Sequence, residues 1–364
     1  MTKPRVLIMA GGTGGHIFPA QAVANELQQA GWQIHWLGSA GKMEATLVPG
    51  FGWPFHPVTV SGLRGKGPLT LVKAPFMLLQ SVLQARAVIK DIKPQLVLGF
   101  GGYASGPGGL AAWLQRIPLL IHEQNAVAGS TNRLLARFAR KVLVAFPAAF
   151  AGHIRQLLVG NPVRKPLIGV AEQHDFSGCL KVLVVGGSQG AKVLNETLPP
   201  VFAALAQVAP IQVKHQTGKA MLAQTEQHYQ RLESANLQAE ASAFIDDMAN
   251  AYAWADLVIC RSGASTVSEL ACAGVAALFV PLPTAIDDHQ TANAKWLSER
   301  GAAMLVPQSE FTTARVQSLL AVWQHDKTEL QQMAARARAC ALDDASTQVV
   351  AQCLQAVGQQ GQAL

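Results

Sequence analysis

The chain lacks the features that would mark several large protein classes at once. Its cysteines, Cys179, Cys260, Cys272, Cys340 and Cys353, are odd in number and scattered, with no CxxC and no Cys/His spacing. Neither a disulfide framework nor a zinc site is supported, and the thiols read as buried groups in a reducing compartment. No apolar run approaches the ~20 residues that span a bilayer. The first run, Val6 to Ala10, follows Lys3 and Arg5 but breaks at once into glycines, which makes it a strand and not a signal peptide. Charge is sparse at 14%, yet half the residues are apolar, so a disordered chain is excluded. Acidic residues are scarcest in the front half: of 29 Lys+Arg and 22 Asp+Glu, 15 and 4 lie before residue 161, leaving 14 and 18 behind. The halves therefore carry +11 and −4, and a basic half attracts nucleic acid, an anionic leaflet or a phosphorylated substrate.

At 364 residues the chain fits two domains, each large enough for its own core. Val6-Leu7-Ile8-Met9-Ala10 runs into Gly11-Gly12-Thr13-Gly14-Gly15-His16 and then a helical period through Ala22, Val23 and Leu27. The same strand, glycine loop and helix return at Val182 to Val185, Gly186-Gly187-Ser188-Gln189-Gly190-Ala191, and Val193, Leu194 and Leu198. Short apolar runs at Ile34–Leu37, Leu96–Leu98, Leu119–Ile121, Val142–Val144, Leu257–Ile259 and Ala277–Val280 alternate with helical stretches. Such alternation predicts an α/β chain with a parallel sheet in each half. Gly160 and the two prolines of Val159 to Pro166 punctuate the chain between the sets. The expected division is residues 1–160, residues 161–340, and a tail at 341–364 that packs back toward the first domain. A helix-like run is expected from about Thr313 to Cys340, and the Gln/Gly-rich end after Val357 reads as frayed.

Glycine allows backbone to approach a phosphate closely, and the helix that follows offers free N–H groups with partial positive charge. Tight βα turns alone account for one such loop; two that open two domains favour a ligand in a cleft between them. Neither loop is a Walker A or a full dinucleotide fingerprint, so an ATP or nicotinamide site is not expected. A third loop, Gly99 to Gly109, is dense in glycine and reads as a place of ligand approach. His122-Glu123-Gln124-Asn125 follows a strand end and reads as the edge of a site.

Eight motifs then occur in one order along nearly the whole chain. They are Gly-Gly-Thr-Gly-Gly-His at 11–16, Gly-Gly-Tyr-x-Ser-Gly-Pro-Gly-Gly at 101–109, His-Glu-Gln-Asn at 122–125 and Gly-Asn-Pro-Val-Arg at 160–164. The second half adds Gly-Gly-Ser-Gln-Gly-Ala at 186–191, Phe-Ile-Asp-Asp-Met at 244–248, Arg-Ser-Gly-Ala-x-Thr-Val-Ser-Glu at 261–269 and Asp-Asp-His-Gln at 287–290. Together they resemble the MurG family. The resemblance implies a GT-B fold of two Rossmann-like domains with parallel sheets facing across a cleft. It implies transfer of N-acetylglucosamine from UDP-N-acetylglucosamine to the muramoyl 4-hydroxyl of undecaprenyl-diphosphate-MurNAc-pentapeptide (lipid I), with inversion, to give lipid II for the cell wall. Further implications are no cofactor, a peripheral place on the cytoplasmic side of the inner membrane, and the cell-wall and division machinery as partners.

The family's donor-site residues fall on Thr13, Gly14, Gly15, Asn125, Arg164, Ser188, Ile245, Ala264, Ser265, Thr266, Val267, Ser268, Glu269 and Gln290. Their chemistry suits the roles: Ile245 backbone for the uracil edge, Glu269 for both ribose hydroxyls, the amides of 266–268 with Arg164 and Ser188 for the diphosphate. Asp287-Asp288 is a poor cation cage and reads instead as a polar loop bringing Gln290 to the sugar. His16 is the candidate general base, since an imidazole titrates near neutral pH; the alternative is a histidine that only bonds the loop or a phosphate. Glu123 is the second candidate, as base or as a group orienting the acceptor.

The apolar stretch from Leu69 to Leu83, broken by Lys73, Pro75 and Gln80 and flanked by Arg64, Lys66, Arg86, Lys90 and Lys93, is expected to dip into an anionic leaflet. Arg133, Arg137 and Arg140 at i, i+4 and i+7 are expected on one helical face, for membrane contact or simply for solvent. Two competing functions remain: a UDP-N-acetylglucosamine 2-epimerase of the same architecture, and a nucleic-acid binder. The second is disfavoured because aromatics are not interleaved with the basic residues, and no nucleic-acid partner is expected.

Overall fold

The computed structural model describes residues 3–60, 68–187, 190–232 and 234–358, with the side chains of 68–73 and 286 left out. The chain divides into two units, residues 1–162 with 344–364, and residues 163–343.

The first unit holds β1 (Arg5–Ala10), α1 (Gly14–Gln29), β2 (Gln33–Ser39), α2 (Met43–Gly50), β3 (Phe55–Val58), α3 (Pro68–Ile92), β4 (Leu96–Gly101), α4 (Ser105–Leu114), β5 (Leu119–Glu123), α5 (Ser130–Leu135), β6 (Lys141–Val144) and β7 (Gln156–Leu158). Its sheet runs β3-β2-β1-β4-β5-β6-β7, and the paired strands are parallel throughout. Parallel strands with helices on both faces must be apolar on both faces. In β1, Val6, Ile8 and Ala10 join the core beneath α1, while Leu7 and Met9 join the opposite core beneath α3 and α4. The reversal of strand order at β1 and β4 puts the loops after both strands beside each other at the sheet's carboxyl edge, where α/β proteins bind ligands.

The second unit repeats the plan with β8 (Leu180–Val185), α6 (Lys192–Ala206), β9 (Ile211–Gln216), α7 (Leu222–Arg231), β10 (Leu237–Ser242), α8 (Met248–Trp254), β11 (Leu257–Cys260), α9 (Ala264–Ala273), β12 (Ala277–Phe279), α10 (His289–Ser298), β13 (Met304–Leu305), α11 (Thr313–His325) and α12 (Thr328–Ala339). Its sheet order is β10-β9-β8-β11-β12-β13, again parallel. The last helix, α13 (Ala345–Ala356), belongs to the first unit. Its Val349, Val350 and Cys353 are fully buried in the core that holds Val23, Ala24 and Leu27 of α1. Burying each valine is worth roughly 1.5–3 kcal/mol, which is why the chain returns there.

Two expectations need correction. The stretch from Thr313 to Cys340 is two helices, because Asp326 takes an extended conformation that ends α11. The three arginines do not share a helix face: α5 ends at Leu135, and the Arg140 guanidinium bonds the Ala356 carbonyl at the end of α13 instead.

Candidate active site

The loop after β1 starts the site of the first unit. Thr13 is the exposed N-cap of α1, and Gly14 and Gly15 form its first turn. His16 Nδ1 lies 3.0 Å from the Gly11 carbonyl oxygen, an atom that only accepts, so Nδ1 carries the proton and donates. In the neutral ring Nε2 then keeps a lone pair. Gly101 lies under the ring, and a Cβ there would stand 3.2 Å from Nε2. Gly102 (φ +91°) packs directly on Gly11, where a Cβ would come within 2.6 Å of the carbonyl oxygen. A Cβ on Gly109 would likewise strike Leu135 at 2.6 Å. At Gly101, Gly102 and Gly109 the glycine-dense segment 99–109 thus allows β4 and α4 to pack closely against the His16 loop and α5.

Glu123 is buried at the end of β5. One carboxylate oxygen accepts from the Asn125 amide (3.0 Å) and side chain (3.3 Å), the other from the Gly129 amide (3.0 Å) and Asn132 Nδ2 (2.9 Å). Four donors hold it within the loop that presents Asn125. His122 is fully buried, donating from Nε2 to the Gly160 carbonyl (2.9 Å) and accepting at Nδ1 from Gln124 (3.0 Å). Burial pulls its pKa down to about 4.

In the second unit the expected residues gather at strand carboxyl ends. Ile245 lies half-buried after β10, Ala264 to Glu269 open α9 directly after β11, and Gln290 starts α10 after β12. Gly263 (φ −60°, ψ 147°) caps α9, so the first-turn amides of Ser265 and Thr266 have no carbonyl behind them within the helix. Ser262 Oγ and Ser265 Oγ are buried here with no hydrogen-bond partner among the described residues. Val267 is turned into the core and its amide donates to the Gly263 carbonyl at 3.0 Å, so of the amides expected at 266–268 only that of Thr266 lacks a carbonyl within the helix. Tyr252 Oη donates to Glu269 Oε2 at 3.3 Å. Burial raises the Glu269 pKa, while the Arg164 guanidinium and Tyr252 lower it. Gln290 Oε1 accepts from the Leu282 amide at 2.9 Å. Asp287 and Asp288 both have left-handed backbone, and Asp288 accepts from Thr291 Oγ1 at 2.7 Å. Ser188 lies outside the described residues.

Sequence reasoning missed three residues. Ser262 lies inside the 261–269 motif but was given no role there, Tyr252 carries no motif of its own, and Glu44 sits in a helix with no recognisable signature. Glu44 is nonetheless fully buried, and it accepts from the Gly12 amide and the Ser39 amide, each at 3.0 Å.

Residues 6–144 match the glycosyltransferase family 28 N-terminal domain, and residues 181–349 match the glycosyltransferase family 28 C-terminal domain. A protein of Aeromonas hydrophila named UDP-N-acetylglucosamine--N-acetylmuramyl-(pentapeptide) pyrophosphoryl-undecaprenol N-acetylglucosamine transferase is 53% identical over 350 residues, 96% of each chain. The crystal structure of Acinetobacter baumannii MurG superposes with a TM-score of 0.84 at 43% identity, covering 97% of this chain and 99% of that one. A UDP-N-acetylglucosamine 2-epimerase structure also superposes, covering 99% of this chain and 98% of that one, with a TM-score of 0.65 at 13% identity, a likeness of fold alone.

Proposed function

From the premise that this chain belongs to glycosyltransferase family 28, we propose that it transfers N-acetylglucosamine from UDP-N-acetylglucosamine to the muramoyl 4-hydroxyl of lipid I, with inversion, forming lipid II for peptidoglycan. The observation that carries this reading is the start of α9. Open first-turn amides, two buried serine hydroxyls without partners among the described residues and the carboxylate of Glu269 lie between the residue before the α9 N-cap and the second turn of that helix, groups suited to a diphosphate and a ribose diol. Arg164, whose charge reaches Glu269, adds a cation for the diphosphate, which gains negative charge as UDP leaves. Gln290 follows the neighbouring β12 and Ile245 the edge strand β10, for the sugar hydroxyls and the uracil edge respectively.

His16 is the general base. The acceptor oxygen forms a bond to the anomeric carbon, its proton passes to Nε2, and the bond from that carbon to UDP breaks with the electron pair leaving on the diphosphate. The Gly11 carbonyl fixes the tautomer that this step needs. Glu123, held by four donors, positions Asn125 and takes no proton. The epimerase alternative shares only the fold and has no use for a lipid-facing surface.

We place the enzyme peripherally on the cytoplasmic face of the inner membrane, where its product serves cell-wall growth, shape and division. No helix among the described residues is long and apolar enough to cross a membrane. Phe76, Leu78, Leu79 and Leu83 of α3 are exposed, whereas Val82, Ala85, Ile89 and Ile92 pin its other face to the sheet. Arg86 and Lys90 lie exposed on the same helix, which supports anionic lipid as a partner. Arg64 and Lys66 lie outside the described residues.

Incubation with UDP-N-acetylglucosamine and a lipid I analogue should yield a disaccharide-linked product. His16→Ala should lower turnover by roughly 100-fold or more with donor affinity kept. Wild-type turnover in that variant removes His16 as the base; absence of any disaccharide from the wild-type enzyme removes the reaction.

A further inference from the structure

Glu44 and His16 are not in contact, yet they grip opposite ends of one peptide plane. The Gly11–Gly12 bond is trans, and its two polar ends are the Gly11 carbonyl and the Gly12 amide. Glu44 Oε2 accepts from the Gly12 N–H at 3.0 Å, and the Gly11 oxygen accepts from His16 Nδ1 at 3.0 Å. The other carboxylate oxygen accepts from the Ser39 amide at 3.0 Å, which ties the arrangement to the end of β2. The carboxylate is fully buried. Two glycines make room for it, since a Cβ on Gly11 would overlap its carboxylate and one on Gly38 would stand 2.7 Å from its Cγ.

Resting on the reading of His16 as base, we propose that Glu44 is a positioning residue that acts on His16 through this peptide, a carboxylate–peptide–histidine relay. A negative charge that accepts from the amide polarises the peptide and makes its carbonyl a stronger acceptor, because hydrogen bonds in series reinforce one another. The strengthened carbonyl holds the proton on Nδ1, keeps the Nε2 lone pair toward the acceptor hydroxyl, and stabilises the imidazolium formed when that proton arrives. Carboxylates that touch a catalytic histidine directly do the same work. Here the peptide stands between, so the charge stays buried and away from the departing diphosphate.

The test is a double-mutant cycle on the full-length enzyme. Glu44→Gln keeps the shape but offers one oxygen to two amide donors and brings no charge. It should lower kcat about tenfold, with KM for UDP-N-acetylglucosamine changed by less than about twofold. In a His16→Ala background the same substitution should cost nothing further, because the group it acts on is gone. A wild-type kcat for Glu44→Gln, or equal losses in both backgrounds, overturns the relay while leaving His16 as base. Wild-type turnover of His16→Ala instead overturns the base and the relay with it. Should Glu44→Gln not fold, ¹⁵N NMR of the wild-type imidazole decides: the relay requires the proton on Nδ1, and the Nε2–H tautomer refutes it.

Discussion

Mild acid should loosen the first unit through a single buried histidine. His122 is fully enclosed and neutral, spending Nε2–H on the Gly160 carbonyl and Nδ1 on Gln124. Burial pulls its pKa from 6.5 to about 4, against the smaller upward pull of the Gly160 bond. The unfolded chain therefore takes up a proton as pH falls through 6.5, while the folded chain resists until about pH 4. Between these values the unfolded state binds more protons, so stability falls as pH falls and levels off below the folded value. Linkage across the two pKa values gives a loss of about 2 kcal/mol between about pH 7 and pH 5, rising to about 3 kcal/mol at lower pH. Native-state hydrogen exchange at the β5 amides reads this locally, without requiring the two units to unfold together. Comparison with His122→Gln removes the common contribution of the carboxylates. The wild type should lose about 2 kcal/mol more protection than the variant over that interval. Parallel pH dependence of the two proteins would refute the reasoning.

Two further outcomes follow from other parts of the molecule. Asp256 is fully buried and accepts from His174 Nε2 (2.9 Å), Lys327 Nζ (2.8 Å) and the Lys181 amide (2.7 Å). Asp256→Ala strands those donors and should cost about 3–5 kcal/mol in denaturant unfolding of the second unit. The residue stands at the amino end of β11, opposite the α9 loop, so kcat and KM should survive wherever the variant is folded. For the membrane surface, Phe76→Ser with Leu79→Ser should release the enzyme from anionic vesicles in co-sedimentation while leaving thermal unfolding unchanged. Equal binding to neutral and anionic vesicles, insensitive to salt, would refute the electrostatic part of that attachment.

What could be read along the chain follows from burial. β1, β4, β5, β8 and β11 lie inside parallel sheets and must be apolar on both faces, so they stand out as unbroken runs followed by glycine or polar loops. β9 and β10 alternate polar with apolar residues, IQVKHQ and LQAEAS, and gave no such run. The arginine spacing looked helical because periodicity carries no information about where a helix stops; α5 stops after six residues.

By itself the amino-acid order determined the two-unit α/β plan, the glycine loop that opens α1, and the place of His16, Glu269 and Gln290 early in α1, α9 and α10. Those are local facts, set by residues a few positions apart. Tertiary structure alone decided that Glu123 is held by four donors, that Gly102 exists to pack on Gly11, and that Glu44 reaches the peptide behind His16. Each of these joins residues separated in sequence by loops or whole strands, and a carboxylate's role depends on which amides the fold brings to its two oxygens.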